Sequence, residues 1–139
     1  EVPAAMIAFL LQQHLDLPLL LPATKVLAEN SSAIALLDSF PISPGHALVV
    51  PRRHLSCFFD LSEKEQSDLW SLVAEVRSHL QKQHQPDGFN IGLNDGPAAG
   101  QTVMHAHIHI IPRYAEDVED PRGGVRWLIP DKADYWSKD

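Results

Sequence analysis

The sequence is poor in cysteine, in basic charge and in long apolar runs. Its one thiol, Cys57, leaves no partner for an intrachain disulfide and none for a Cys-based zinc cluster. That usage fits a reducing compartment. Lys and Arg number 11 against 18 acidic side chains, a formal charge of -7, which excludes a broad basic nucleic-acid surface while leaving room for a small local anion site. The Leu-rich stretch 4–21 is interrupted by Gln12, Gln13, His14, Asp16 and Pro18, well short of the ~18 clean apolar residues of a membrane span. An amphipathic helix from Ala4 to about Leu15 is expected there instead. No Lys or Arg precedes that segment, so the expectation is a cytoplasmic chain without a signal peptide.

What is present is ordinary in bulk and unusual in one place. The 139 residues are 45% apolar and 21% charged, which suits a single globular domain over 1–139. Its core is expected over 24–113, after an N-terminal helical segment (1–23) and before a C-terminal tail (114–139). Eight histidines are scattered through the chain, three of them within residues 105–109.

The order of elements follows from short-range signals. Lys25 to Glu29 and Ala33 to Leu37 flank Asn30-Ser31-Ser32 and predict a hairpin; the same triplet matches a glycosylation acceptor but is read as a turn. After Pro41, Pro44 and Gly45, the run His46 to Val50 predicts a third strand. Over 62–84, Ser62 and Glu65 form a capping-box pair, and Leu69, Leu72, Val73, Val76 and Leu80 recur at helical spacing. Phe89 to Asn94 predicts a fourth strand and Val103 to Ile111 a fifth, stopped by Pro112. Strands on both sides of one main helix predict an α+β domain of antiparallel sheet and helix. Trp127 and Trp136 are expected to pack the tail, Arg52 and Arg53 to form an exposed turn pair, and His14, His54, His79 and His84 to be incidental.

In His105-Ala106-His107-Ile108-His109-Ile110-Ile111 the period is two. On a strand, the three imidazoles share one face and Ala106, Ile108 and Ile110 the other. Three readings of the imidazole face stand side by side. One is a polar strand face with no chemistry. Another is a metal site; His105 and His109 begin about 13 Å apart on a strand, so all three cannot share one ion, but two of them with a distant ligand could hold one. The third is nucleophilic catalysis, in which His107 attacks while His105 and His109 orient groups or handle a leaving-group proton. The loop Gly96 to Thr102 adds glycines, Gln101 and Thr102, suited to phosphate oxygens.

The stretch Asn94-Asp95-Gly96-Pro97-Ala98-Ala99-Gly100-Gln101-Thr102-Val103-Met104-His105-Ala106-His107-Ile108-His109-Ile110-Ile111-Pro112-Arg113, with Pro44-Gly45-His46-Ala47-Leu48-Val49-Val50-Pro51 upstream, resembles the signature of the histidine triad superfamily. Within it, Asp95-Gly96-Pro97 through Gly100-Gln101-Thr102 is more similar to the fragile-histidine-triad type of dinucleoside polyphosphate hydrolase than to the phosphoramidase type. The resemblance implies a five-stranded antiparallel sheet that becomes ten-stranded across a homodimer. It implies hydrolysis or transfer at a nucleotide α-phosphate, with His107 as the nucleophile of a nucleotidyl-histidine intermediate. By matching position, His109 lies near the leaving-group oxygen, and His105 and His46 form a supporting hydrogen-bonded layer. Asn94, Gln101 and Thr102 contact phosphate, Asp38 accepts from the ribose, and Leu36 and Leu48 line the base pocket.

Two departures bear on substrate. Asn94 stands where the fragile type often carries Gln, and His109 stands where the superfamily's nucleotidylyltransferases carry Gln, which favours water as the final acceptor. No metal or cofactor is expected of the protein itself, with magnesium expected only as an escort of substrate phosphates. Two other functions fit the same residues, a nucleotide-binding signalling module with little turnover and a metal-binding protein built on the histidine strand. The expected partners are a nucleotide and a second copy of the chain, with no nucleic acid and no membrane.

Overall fold

In the computed structural model, residues 26–138 are described; the helix expected from Ala4 to Leu15 lies outside them. Strands β1 (Val26–Glu29) and β2 (Ala33–Leu37) form the predicted hairpin. Its turn is closed by Asn30, whose Oδ1 accepts from the N–H groups of Ser32 and Ala33 while its Nδ2 donates to the Asp68 carbonyl. The triplet is thus a turn, as read from the sequence. Strand β3 (Ala47–Pro51) pairs antiparallel with β2.

Helix α1 (Glu63–His84) begins where the capping box places it. Ser62 Oγ accepts from the Glu65 N–H, and the Glu65 carboxylate accepts from the Ser62 N–H, both at 3.1 Å. Its stripe of Leu69, Leu72, Val73, Val76 and Leu80 is buried against Ala33, Ala35, Ala47, Val49, Ile108 and Ile110 of the sheet. The alanines keep β2 and β3 thin on this side, so the helix seats closely. Arg52 pairs with Glu29, and Arg53 pairs with Glu65 at the start of α1.

Strands β4 (Gly88–Gly92) and β5 (Ile108–Arg113) complete one antiparallel sheet in the order β1-β2-β3-β5-β4. The bounds of both strands differ from the sequence expectation. Strand β4 ends at Gly92 rather than Asn94. Strand β5 starts at Ile108, not Val103, and runs through Pro112, which pairs with Phe89. The β3 ladder stops at Ala47 opposite Ile110, so no strand on that side asks Pro112 for the donor it lacks. Ahead of Ile108 the chain bends at residues 103–105, and the Ala106 N–H donates to the Leu55 carbonyl instead of a sheet partner.

The face of the sheet away from α1 carries a second buried cluster of Ile34, Leu36, Leu48 and Val50, with Val26 against it. Register puts Val26, Leu36, Leu48 and His109 in one row across four strands. The tail folds through its aromatics as expected. Gly124–Leu128 forms a 3-10 turn and Pro130–Ala133 a short helix, with Arg122 over the Trp136 ring, Arg126 over Tyr135, and Trp127 Nε1 donating to the Arg122 carbonyl.

His84, expected to be incidental, has a structural job. It sits under Gly45, whose φ is +88°, and a methyl group at Gly45 would come within 2.9 Å of its ring. Gly45→Ala therefore meets both a left-handed backbone and a ring, and should lower unfolding free energy by about 1–3 kcal/mol. A urea midpoint lowered at unchanged slope is the expected result; an unchanged midpoint would contradict this packing.

Candidate active site

Strand register brings His46 to His109. His46 immediately precedes β3, is 4% exposed, and is held by its N–H to Ser43 O and its carbonyl from Asp38 N–H. Its Nδ1 accepts from the Ile42 N–H at 3.2 Å. A ring nitrogen that accepts carries no proton, so neutral His46 holds its proton on Nε2. That Nε2 lies 3.0 Å from His109 Nδ1 and 3.4 Å from an Asp38 carboxylate oxygen. Donation to His109 Nδ1 in turn places the His109 proton on its own Nε2. Burial lowers the pKa of His46 despite Asp38, and burial together with His107 and His46 lowers that of His109 to about 4. Both rings are neutral at pH 7, as the hydrogen bonds require.

The nucleophile expected from sequence is fixed the other way round. His107 Nδ1 lies 2.8 Å from the His105 carbonyl, which can only accept. The neutral ring therefore has its proton on Nδ1, and its Nε2 keeps the lone pair. The His107 and His109 rings meet edge to face, with centroids 5.0 Å apart and planes at 71°. One thus presents a bare nitrogen and its neighbour a ring N–H.

His105 does not share an open imidazole face with the other two. Its residue precedes β5, where period two no longer governs, and its ring is 3% exposed. His105 Nε2 donates to the Pro51 carbonyl at 2.9 Å, and its Nδ1 lies 2.8 Å from Nδ1 of His54, the two ring planes within 19° of parallel. His54 was expected to be incidental and is not. The only clue in the sequence was its place three residues after Pro51, the end of a strand bordering the triad.

The loop after β4 corrects another expectation. Gln101, expected on phosphate, is 5% exposed and turned inward. Its Oε1 accepts from the Gly96 N–H, and its Nε2 donates to the Ser56 and Val103 carbonyls. An amide offers a donor and an acceptor, which can clasp a loop as readily as a ligand, and here they clasp the loop. Asn94 and Thr102 make no side-chain hydrogen bond to the described residues, and Asn94 follows β4 two residues past Gly92, whose register partner is His109. Asp38 accepts from the Phe40 N–H through Oδ1 and turns Oδ2 toward His46. Leu36 and Leu48, each 3% exposed, form the apolar row that ends at His109.

Among the described residues one group could chelate a metal, Asp38, His46 and His109, with ligand atoms within 4.8 Å of one another. This is not the set expected of a histidine-strand metal site, since it takes one histidine of the three. Its chemistry works against an ion. To bind through Nε2, His46 would need its proton on Nδ1, facing the Ile42 N–H that already points there.

The neutral rings carry a stability consequence. His105, pressed by burial and by His54 and His107 from 6.5 to about 4, takes a proton in the unfolded chain before the folded one. Its contribution is complete above pH 6.5 and is lost as pH falls toward 4, a difference of about 3 kcal/mol from this group alone. Urea titrations between pH 7 and 4 should show that decline, while the His105 ring signals of the folded protein remain those of neutral imidazole down to about pH 5 and titrate only near pH 4. A flat unfolding free energy over the window would contradict the buried neutral ring.

A profile of the HIT domain matches residues 22–116. The chain is 45% identical over 85 residues to the bifunctional bis(5'-adenosyl)-triphosphatase/adenylylsulfatase FHIT of Arabidopsis thaliana, covering 61% of this chain and 47% of that one. It is 37% identical over 103 residues to the bis(5'-adenosyl)-triphosphatase of Dictyostelium discoideum, covering 74% and 69%. The chain thus spans about half to two thirds of the length of these curated relatives. A crystal structure of a HIT family protein from Bacillus anthracis superposes with a TM-score of 0.64 at 36% identity, covering 67% of this chain and 66% of that one. The matched span takes in all five strands, helix α1 and every histidine of the site, and the chain belongs to the HIT domain family.

Proposed function

We propose that the chain is a nucleotide hydrolase that cleaves at the α-phosphate through a nucleotidyl intermediate on His107. The observation that carries this reading is the 2.8 Å bond from His107 Nδ1 to the His105 carbonyl. It holds the ring in the tautomer whose Nε2 lone pair is free to attack phosphorus. As the N–P bond forms, positive charge develops on the ring, and the carbonyl already bonded to Nδ1–H stabilises it. The bond from phosphorus to the leaving oxygen or nitrogen breaks, and its electron pair departs with that group. His109 Nε2–H hydrogen-bonds the atom that leaves and gives its proton to a leaving group that needs one. Water then attacks phosphorus, the N–P bond breaks with its electron pair returning to His107 Nε2, the water's proton replaces the one His109 gave up, and the nucleoside monophosphate departs.

The remaining roles belong to the same reading. Asn94 and Thr102 offer free side chains to phosphate oxygens, while Gln101 keeps the loop that carries Thr102 in shape. Asp38, with Oδ2 still able to accept, takes a ribose hydroxyl, and Leu36 and Leu48 border the base. Magnesium travels with the substrate's phosphates and is assigned no side chain. Support for a dinucleoside polyphosphate comes from the activities of the Arabidopsis and Dictyostelium relatives. Strand β4 is a sheet edge, and pairing of two copies there would give ten strands, with a cytoplasmic homodimer as the working form.

The test is a panel of diadenosine triphosphate, an adenylyl-lysine phosphoramidate and an adenylyl sulphate, with nucleoside monophosphate release as the readout. His107→Ala should lower kcat by about 10⁴-fold or more while leaving nucleotide affinity within a few-fold. Turnover retained in that variant would refute the assignment, and nucleotide binding without turnover in the native protein would favour a signalling module. His109→Ala should slow the poorest leaving group, the amine, more than the phosphate or sulphate leaving groups.

A further inference from the structure

The segment after β3 touches the histidine stretch residue by residue. Pro51 O accepts from His105 Nε2, His54 Nδ1 meets His105 Nδ1, Leu55 O accepts from the Ala106 N–H, and Ser56 O accepts from Gln101 Nε2. Residues 51–56 thus form a strap along 101–106, where the sheet ladder has not yet begun and cannot set the backbone. Three of these four contacts use a backbone carbonyl, which any residue supplies. The contact made by His54 is the one that depends on a side chain.

The direction of that contact is fixed. His105 Nε2 donates to Pro51 O, so neutral His105 has a bare Nδ1, buried with its ring at 3% exposure. A buried acceptor needs a donor, and leaving it without one costs about 1–3 kcal/mol. Among the described residues the donor is Nδ1–H of half-buried His54, at 2.8 Å. Burial and the neighbouring His54 and His107 hold His105 neutral, which keeps that lone pair in place. The same residue, His105, supplies the carbonyl that fixes the His107 tautomer.

We infer that His54 is a positioning residue for the nucleophile: it locks the His105 ring, and through it the carbonyl that holds the proton on His107 Nδ1. This deepens the hydrolase reading and rests on it for its kinetic consequence, but its structural half is measurable without substrate. Loss of the donor frees His105 to turn toward water, carries its carbonyl off the His107 Nδ1–H line, and lets His107 sample the tautomer whose Nε2 is protonated and cannot attack. Ground-state binding of nucleotide is little affected, because His54 touches no group assigned to substrate.

The test compares three variants of the full chain. In His54→Asn the amide nitrogen falls near the position of Nδ1. In His54→Gln it falls near Nε2, and His54→Leu has no donor. Ring ¹⁵N signals of the nucleotide-free protein report the tautomers of His105 and His107 directly. The native protein and the Asn variant should each show one tautomer, Nε2–H for His105 and Nδ1–H for His107. The Gln and Leu variants should show mixed tautomers at both. With diadenosine triphosphate, kcat should fall about 10- to 100-fold in Gln and Leu, with KM within threefold, and recover in Asn. Should Leu fail to fold, the Asn–Gln pair still decides, since both are amides. Equal behaviour of Asn and Gln, or native tautomers in either Gln or Leu, would overturn the inference. A native protein inactive on every nucleotide would instead remove the hydrolase reading and leave the tautomer result to stand by itself.

Discussion

The site depends on one hydrogen bond, from His107 Nδ1–H to the carbonyl of His105. An imidazole near neutral pH is ambiguous, because its single proton can sit on either nitrogen and only one arrangement leaves a given nitrogen nucleophilic. Backbone groups remove that ambiguity, since a peptide N–H only donates and a carbonyl only accepts. Ile42 N–H sets His46, Pro51 O sets His105, and His105 O sets His107. His46 then sets His109 at second hand. The result is one bare Nε2 on His107 beside one Nε2–H on His109. Burial, which lowers the pKa of His46, His105 and His109, keeps each ring in the uncharged form this pattern needs.

The fold supplies these backbone groups at fixed distances. Pairing of β3 with β5 sets Leu48 opposite His109 and so brings His46 within reach of it. Helix α1, capped at Ser62 and buried along one stripe, presses on the opposite side of the same strands. Where the sheet gives out, ahead of Ile108, the strap of residues 51–56 takes over and Gln101 ties the loop to it. A net charge of -7 is compatible with the proposed anionic substrate, because the cradle proposed for it is made of amides, hydroxyls and imidazoles and needs no basic patch.

Much of this was legible in the sequence, and the misses share a cause. The capping box, the hairpin and the alternation of Ala106, Ile108 and Ile110 are local patterns, and each appears in the structure where it was expected. The fifth strand is expected from Val103 and its alternation from His105, yet the ladder starts at Ile108, because period two describes residues within a ladder and says nothing of where the ladder starts. Hence the expectation that His105 stands in line with His107 and His109, when it faces Pro51 and His54. The partnership of His54 with His105 spans 51 residues of chain, and that of His84 with Gly45 spans 39; no spacing rule reaches so far. Gln101 was misread because an amide has the same donor and acceptor whether it meets a phosphate or a backbone. The grouping of His46 with the triad, by contrast, came from the family resemblance rather than from periodicity.

The central claim is that His107 becomes bonded to the nucleotide, and intact-mass spectrometry of protein quenched during turnover tests it most directly. Mixed with diadenosine triphosphate and denatured within the first turnover under alkaline conditions that preserve a phosphorus–nitrogen bond, the protein should carry one adenylyl group, mapped by fragmentation to His107 and absent from His107→Ala. An adduct on another residue, or rapid turnover with no adduct at any quench time, would contradict the account and require water to attack the phosphate directly.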